Sequence, residues 1–205
     1  MKTVAVVPVK SLSQAKTRLA NILSPEERAL LVLDMLSHVL DTLRASREID
    51  EVAVISPQPS ELRLPPGVTP ILQARHGLND LLEQGREWAI RRDADALLVL
   101  FVDLPLISSG DISRMVKLGE KEGTVVLAPD RHGSGTNSML AHPVTLARFA
   151  FGPASFDTHR VAAMHAGANL EIYSSPGTSL DIDTLDDLDY LDAHRISTAM
   201  EYAFS

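Results

Sequence analysis

Apolar residues follow two rhythms along this chain. Short unbroken runs, rich in valine and isoleucine, predict strands at Thr3–Val7, Glu51–Ser56, Ala96–Val102 and Thr124–Ala128. Shorter runs near Ile71, at Ser138–Ala141 and at Leu170–Tyr173 predict three more. Between them, apolar positions at helical spacing predict helices from Pro25 to about Ser46, over Asn79–Arg92, Asp111–Lys121 and Ser155–Gly167, and from Thr184 to about Ile196. Ser24-Pro25-Glu26-Glu27 is a helix start, with a capping serine, a first-turn proline and Glu27 completing a capping box. The proline-rich stretch Pro57–Pro70 predicts a loop.

Strands that alternate with helices imply one α/β domain spanning 1–205, with a mostly parallel sheet covered by helices on both faces. The run ALLVLFV at 96–102 is apolar at every position, as a strand buried on both faces must be, and is expected at the sheet's centre. Residues 197–205 show no pattern and are expected to be a tail, either mobile or in contact with a second subunit. In such sheets ligands gather at the carboxyl ends of the strands.

Composition narrows the chemistry. A net charge of −8 over 205 residues disfavours nucleic acid and anionic membrane, so an anion has to bind at a local basic site. With no cysteine there is no disulfide, thiolate metal site or cysteine nucleophile. The longest apolar run is far shorter than the ~20 residues of a membrane helix. Met1-Lys2-Thr3 leads directly into a strand without a signal-peptide pattern, so a cytoplasmic protein is expected. The seven histidines have no paired metal-ligand spacing, and there is neither a Walker A pattern nor a nucleophile elbow.

Five polar clusters each follow a predicted strand. The first carries Lys10, Lys16 and Arg18, cations that with turn amides could hold a polyphosphate; the alternative is a solvated basic loop. The second is Gly77-Leu78-Asn79-Asp80, where Asn79 or Asp80 suits a helix cap and Asn79 could also read a base edge. The third is Asp103-Leu104-Pro105: a carboxylate at the end of the most buried strand needs compensation, from a divalent metal or from a turn. The fourth, Ala128 to Asn137, has two glycines and the hydroxyls of Ser134 and Thr136, suited to an anionic ligand or to a surface loop. It leads on to Phe151-Gly-Pro-Ala-Ser155, where Ser155 is expected to cap the next helix. The fifth is Leu180-Asp181-Ile182-Asp183-Thr184, whose two aspartates share one side of an extended segment and invite a cation such as Mg²⁺. Asp186, Asp187 and Asp189 read as ordinary first-turn acids.

The ordered set VPVK…AKTRLA, GLND, DLPL, APDRHGSGTN, FGPASF…H and LDIDT resembles the CofC/FbiD guanylyltransferases of deazaflavin coenzyme biosynthesis, over nearly the whole chain. The resemblance implies a GT-A-like nucleotidyltransferase fold. It also implies condensation of GTP with phosphoenolpyruvate, 2-phospho-L-lactate or 3-phospho-D-glycerate, with release of pyrophosphate, in coenzyme F420 biosynthesis. Carried over by position, Asp103, Asp181 and Asp183 match the metal-binding aspartates, implying Mg²⁺ as cofactor. Thr136, Gly152 and Ser155 match positions that hold the phosphorylated acid. Lys10, Lys16, Arg18 and Asn79 fall on the nucleotide side, with Asp103, Lys10 and Lys16 the expected catalytic set. Gly133-Ser-Gly-Thr is one residue looser than the family's Gly-Gly-Thr-Asn form, which leaves Ser134 and Thr136 both open as the hydroxyl that meets substrate. A downstream deazaflavin transferase is the implied partner and a homodimer a further expectation. The alternatives are another GT-A-like nucleotidyltransferase, of molybdopterin or sugar-phosphate type, and a nucleotide-binding protein without turnover. VPVKSLSQAK lacks the glycine-rich opening loop usual in the first of these.

Overall fold

The computed structural model describes residues 1–193. Seven strands form one sheet: β1 Thr3–Pro8, β2 Glu51–Ser56, β3 Val68–Leu72, β4 Ala96–Leu100, β5 Thr124–Pro129, β6 Thr136–His142 and β7 Asn169–Ile172. Their order across the sheet is β3-β2-β1-β4-β6-β5-β7, which puts β4 in the middle, as its uniformly apolar sequence requires. Every neighbouring pair is parallel except those made by β6, which runs antiparallel to both β4 and β5. The helices are α1 Pro25–Ala45, α2 Leu78–Arg91, α3 Ser109–Leu118, α4 Ser155–His165 and the single turn α5 Pro176–Ser179, with a further helix over 185–193.

The strands are buried on both faces because successive side chains alternate across the sheet. Ala5 and Val7 enter one core, with Leu36, Leu40 and Leu43 of α1 and Ile112 and Met115 of α3. Val4 and Val6 enter the other, with Leu82 and Trp88 of α2 and Ala163 of α4. Ser24 and Glu27 form the expected capping box on α1.

Several boundaries differ from expectation. β3 starts inside the proline-rich stretch and contains Pro70, tolerated because β3 is an edge strand. α3 stops at Leu118, and a Cβ on the Gly119 that follows would collide with the Leu140 side chain of β6. The α5 turn lies in a segment with no predicted helix. The last helix starts at Leu185, one residue after the expected Thr184; its expected end near Ile196 and the 197–205 tail lie outside the described residues.

The register creates the site. β1 pairs with β4 only as far as Val6↔Val99 but stays with β2 to Pro8↔Ile55, so β1 and β4 separate at their carboxyl ends. From β1 the chain crosses through α1 to β2, towards one edge of the sheet; from β4 it crosses through α3 to β5, towards the other edge. This divergence is the switch point at which open α/β sheets form a ligand crevice.

Candidate active site

The chain beyond β1 folds into two 3₁₀ turns, Leu12–Gln14 and Thr17–Leu19, with Lys16 between them in the left-handed conformation (φ 47°, ψ 45°). A residue with a Cβ adopts that backbone at a cost, which tertiary contacts must offset. Here Lys16 Nζ lies 2.7 Å from Asp103 Oδ2 and 2.9 Å from Asp183 Oδ1, and its side chain is 8% exposed. The buried Arg28 of α1 anchors the loop by donating to the Ala15 carbonyl at 3.1 Å. Arg18 reaches Asp183 Oδ2 at 3.1 Å from an exposed position. Lys10 is exposed and makes no ion pair with any described residue.

Asp103 sits three residues beyond β4, on a turn, and its carbonyl accepts from the Ile182 amide at 3.1 Å. That bond carries the 180–183 segment to Asp103. Ile182 is fully buried, while Asp181 and Asp183 stand on the Asp103 side. Asn137 Nδ2 holds Asp181 Oδ1 at 3.1 Å and also donates to the Thr178 and Ser179 carbonyls at 3.2 Å.

The electrostatics are those of carboxylates short of cations. Burial, and then the charge of Asp103, raise the carboxyl pKa of Asp181 against the opposing hydrogen bond from Asn137. Burial alone would lower the pKa of Lys16, but the charges of Asp103 and Asp183 outweigh it and hold the ammonium above its ordinary value. Among the described residues no three acidic or histidine side chains already form a metal cage. The Lys16 ammonium instead stands between two of the three aspartates.

A cleft of about 740 Å³ opens beside this cluster, within the range of small-ligand sites. Lys10, Lys16 and Arg18, Gly77 and Leu78 at the start of α2, Phe101, and Asp103 with Asp183 line it. Asn79 takes a different task. Its Oδ1 accepts from the Phe151 amide at 2.8 Å and its Nδ2 donates to the Phe151 carbonyl at 3.1 Å, while Gly77 takes the helix-cap position without any side-chain cap.

Thr136, Gly152 and Ser155 lie together beyond the cleft wall, where the Phe151 ring meets Phe101 at 5.0 Å between centroids. Ser155 is not a cap: Ala154 occupies that position, and Ser155 Oγ accepts from the Thr136 amide at 3.0 Å. Gly152 has φ 141°, a conformation L side chains rarely adopt, and its carbonyl accepts from the Ser155 amide. His159 of α4 is 1% exposed; its Nδ1 lies 2.9 Å from Thr136 Oγ1, and its Nε2 accepts from the Ala150 amide at 3.0 Å.

The glycine-containing loop between β5 and β6 is organised from within. The Asp130 carboxylate accepts from the Ser134 and Gly135 amides at 2.8 and 2.9 Å, and a Cβ at Gly135 would sit 2.7 Å from Asp130 Oδ2. The amides that suggested an anion cradle therefore already hold an anion of the protein itself. The Ser134 hydroxyl bonds to the same Asp130, whereas Thr136 is buried beside Ser155.

Sequence reasoning missed Asn137, Asp130 and Asp187. Asp187 accepts from the Asp183 and Thr184 amides and the Thr184 hydroxyl, and pairs with Arg131. The Thr184-x-x-Asp187 spacing is the available signal, a capping pair rather than a surface acid.

Burial lowers the His159 pKa from 6.5 to about 4. A histidine buried neutral contributes stability that is intact above about pH 6.5 and is lost as pH falls towards 4, since the unfolded chain takes up the proton first. Chemical denaturation is expected to show wild type losing roughly 2–3 kcal/mol more than His159→Leu between pH 7 and pH 4. Parallel losses in the two proteins would contradict a neutral, buried His159.

Comparison with known proteins identifies the family. Residues 3–202 match the family described as "Guanylyl transferase CofC like". The chain belongs to that family. A phosphoenolpyruvate guanylyltransferase of Sphaerobacter thermophilus is 43% identical over 196 residues, covering 95% of this chain and 94% of the relative. A 2-phospho-L-lactate guanylyltransferase of Methanothermobacter thermautotrophicus is 34% identical over 206 residues, covering 98% and 90%. Among solved structures, a putative nucleotide-diphospho-sugar transferase from Desulfovibrio desulfuricans superposes with a TM-score of 0.78 at 15% identity, over 93% of this chain and 87% of that one. The last match speaks for the fold alone, an α/β nucleotidyltransferase fold of the kind expected for a CofC-like chain.

Proposed function

We propose that this CofC-like protein transfers GMP from GTP to a small phosphorylated carboxylic acid and releases pyrophosphate, with phosphoenolpyruvate as the leading acceptor. The observation that carries this reading is Lys16, whose ammonium joins Asp103 and Asp183 at the wall of the cleft. It brings the cationic loop and the acidic cluster to one place, as a reaction between two polyanions requires. The choice of acid follows the name borne by the more similar of the two relatives.

The acceptor's phosphate oxygen is the nucleophile. It attacks the α-phosphorus of GTP, a P–O bond forms, and the bond to the β-phosphate breaks with its electrons leaving on pyrophosphate. An anionic nucleophile needs no general base, in keeping with a neutral and buried His159. Lys10 and Lys16 stabilise charge on the leaving pyrophosphate, and Arg18 adds to the field at the mouth of the cleft. Gly77 and Leu78 meet the nucleotide, and Asn79 supports that side indirectly by joining α2 to Phe151. Thr136, Gly152 and Ser155 receive the acid. Close alignment of the two substrates supplies much of the remaining rate.

Mg²⁺ is the proposed cofactor. Asp103 and Asp183 flank the Lys16 ammonium, and Asp181, whose carboxyl pKa is raised by burial and then by the charge of Asp103, stands near them; oxygen donors of this kind suit a hard divalent cation. Asp103, Asp181 and Asp183 would hold it, and when bound it supplies charge neutralisation at the phosphates. The product would be the activated arm for a separate deazaflavin transferase in coenzyme F420 biosynthesis.

The test is pyrophosphate release with Mg²⁺ and GTP and, in separate reactions, phosphoenolpyruvate, 2-phospho-L-lactate, 3-phospho-D-glycerate and sugar 1-phosphates, with the deazaflavin transferase and acceptor present as a product trap. Release with phosphoenolpyruvate and not with sugar phosphates is expected. Release with a sugar phosphate alone would overturn the reading in favour of a related nucleotidyltransferase.

A further inference from the structure

His159 lies beside Thr136, one of the residues proposed to receive the acid, with both ring nitrogens engaged, and its partners decide where its proton resides. Nε2 faces the Ala150 amide at 3.0 Å. An amide N–H can only donate, so Nε2 must be the bare, accepting nitrogen. A neutral imidazole has one proton, which therefore sits on Nδ1 and is donated to Thr136 Oγ1 at 2.9 Å. The edge-to-face packing of Phe151 on the imidazole, 4.6 Å between centroids, opposes a ring flip, and burial keeps the ring neutral near pH 7.

The consequence lies one bond further on. Thr136 Oγ1 accepts from His159, so the threonine's own proton cannot point there. Among the described residues the other oxygen bonded to it is Ser155 Oγ, at 3.4 Å, a long contact in which the serine is the donor. Ser155 Oγ already accepts from the Thr136 amide. The Thr136 proton is left for a ligand.

Building on the acid-binding reading above, we propose that His159 is a positioning residue, whose Nδ1–H tautomer turns the Thr136 hydroxyl into an obligate donor to an anionic oxygen of the acid. The pocket then favours a carboxylate or phosphate oxygen at that point over a hydroxyl or amine hydrogen. This gives His159 a part in acid selection without any proton transfer, and gives Ala150 a part through its amide alone.

Two measurements test this. The first is histidine ¹⁵N NMR of the unmodified protein at pH 7, which is expected to show His159 protonated on Nδ1 and bare on Nε2. The second is kinetics with GTP and phosphoenolpyruvate. Loss of a hydrogen bond that serves a charged group is expected to raise KM for the acid roughly 10- to 100-fold in Thr136→Val and in His159→Leu, with KM for GTP little changed. The double variant is expected to be no worse than Thr136→Val, because both remove one interaction. His159→Asn, which keeps a donor near the Nδ1 position, should recover most of the loss. A purely structural role would instead lower stability, affect both substrates and show additive effects.

An Nε2–H tautomer, additive losses, or no recovery in His159→Asn would overturn the proposal while leaving the acid-binding reading in place. A wild type with the expected tautomer but silent with every acid would overturn the acid-binding reading, and with it the substrate half of this proposal.

Discussion

Asp103→Asn is expected to lower kcat by roughly 10³-fold while leaving the fold intact. Three structural facts converge on this carboxylate. It stands where β1 and β4 part, it lies 2.7 Å from the Lys16 ammonium, and its backbone carbonyl holds Ile182. The substitution preserves shape and main chain, so Ile182 keeps its bond and Asp181 and Asp183 stay in place. Lys16 keeps Asp183 as partner at 2.9 Å, which limits the stability loss to about 1–2 kcal/mol. What disappears is one negative charge at the proposed meeting point of the two substrates. Asp183→Asn is expected to behave alike, with Arg18 also losing its partner. Steady-state kinetics at saturating Mg²⁺, beside a thermal melt, checks both; near-normal turnover in either variant would remove that residue from the proposed metal set.

Lys16→Met is expected to cost turnover roughly 10²- to 10³-fold and to alter the response to metal. Without the ammonium, Asp103 and Asp183 lose their shared counter-charge while Asp181, its carboxyl pKa already raised by burial and then by Asp103, stays beside them. The variant should be less stable than wild type by about 2–4 kcal/mol in metal-free buffer, since a buried ion pair broken from one side leaves charges uncompensated. Adding millimolar Mg²⁺ should then raise its melting temperature more than that of wild type, where the lysine competes for the same carboxylates. Equal shifts in both proteins would show that Lys16 and the divalent cation do not share this site.

Much of the fold was legible because burial on both faces leaves an obvious trace. Ala96–Leu100 is apolar throughout and proved central; the Ser24–Glu27 capping box begins α1 where its pattern starts. The direction of β6 was not legible. A short run such as Ser138–Ala141 has the same composition whichever way it runs, and its antiparallel pairing is set by the tight turn that Asp130 closes. The overall approach of the opening loop, Asp103 and Asp183 was expected from strand-end placement, and the ion pairs of Lys16 show how it is made.

Side-chain tasks were harder to read where one residue type serves several. Asn79 reads from sequence as a cap or a base reader; its actual task, holding the Phe151 backbone, depends on a segment distant in sequence. Ser155 reads as a cap, but Ala154 takes the left-handed position before the helix and turns the serine towards Thr136. Asn137 gave no signal, because its partners Thr178, Ser179 and Asp181 come from a later segment. That segment is itself pinned by Asp111, whose carboxylate accepts from the Tyr173 and Ser175 hydroxyls. These are long-range contacts, and local spacing does not encode them.

The most direct test of guanylyl transfer is to follow label from [α-³²P]GTP in the presence of phosphoenolpyruvate and Mg²⁺. The proposed chemistry predicts that α-label moves into a new acid-linked product, captured by the deazaflavin transferase, in step with pyrophosphate release. Release of γ-phosphate with the label retained in GDP would contradict it, because the bond broken would then lie between the β- and γ-phosphates and no guanylyl group would have moved.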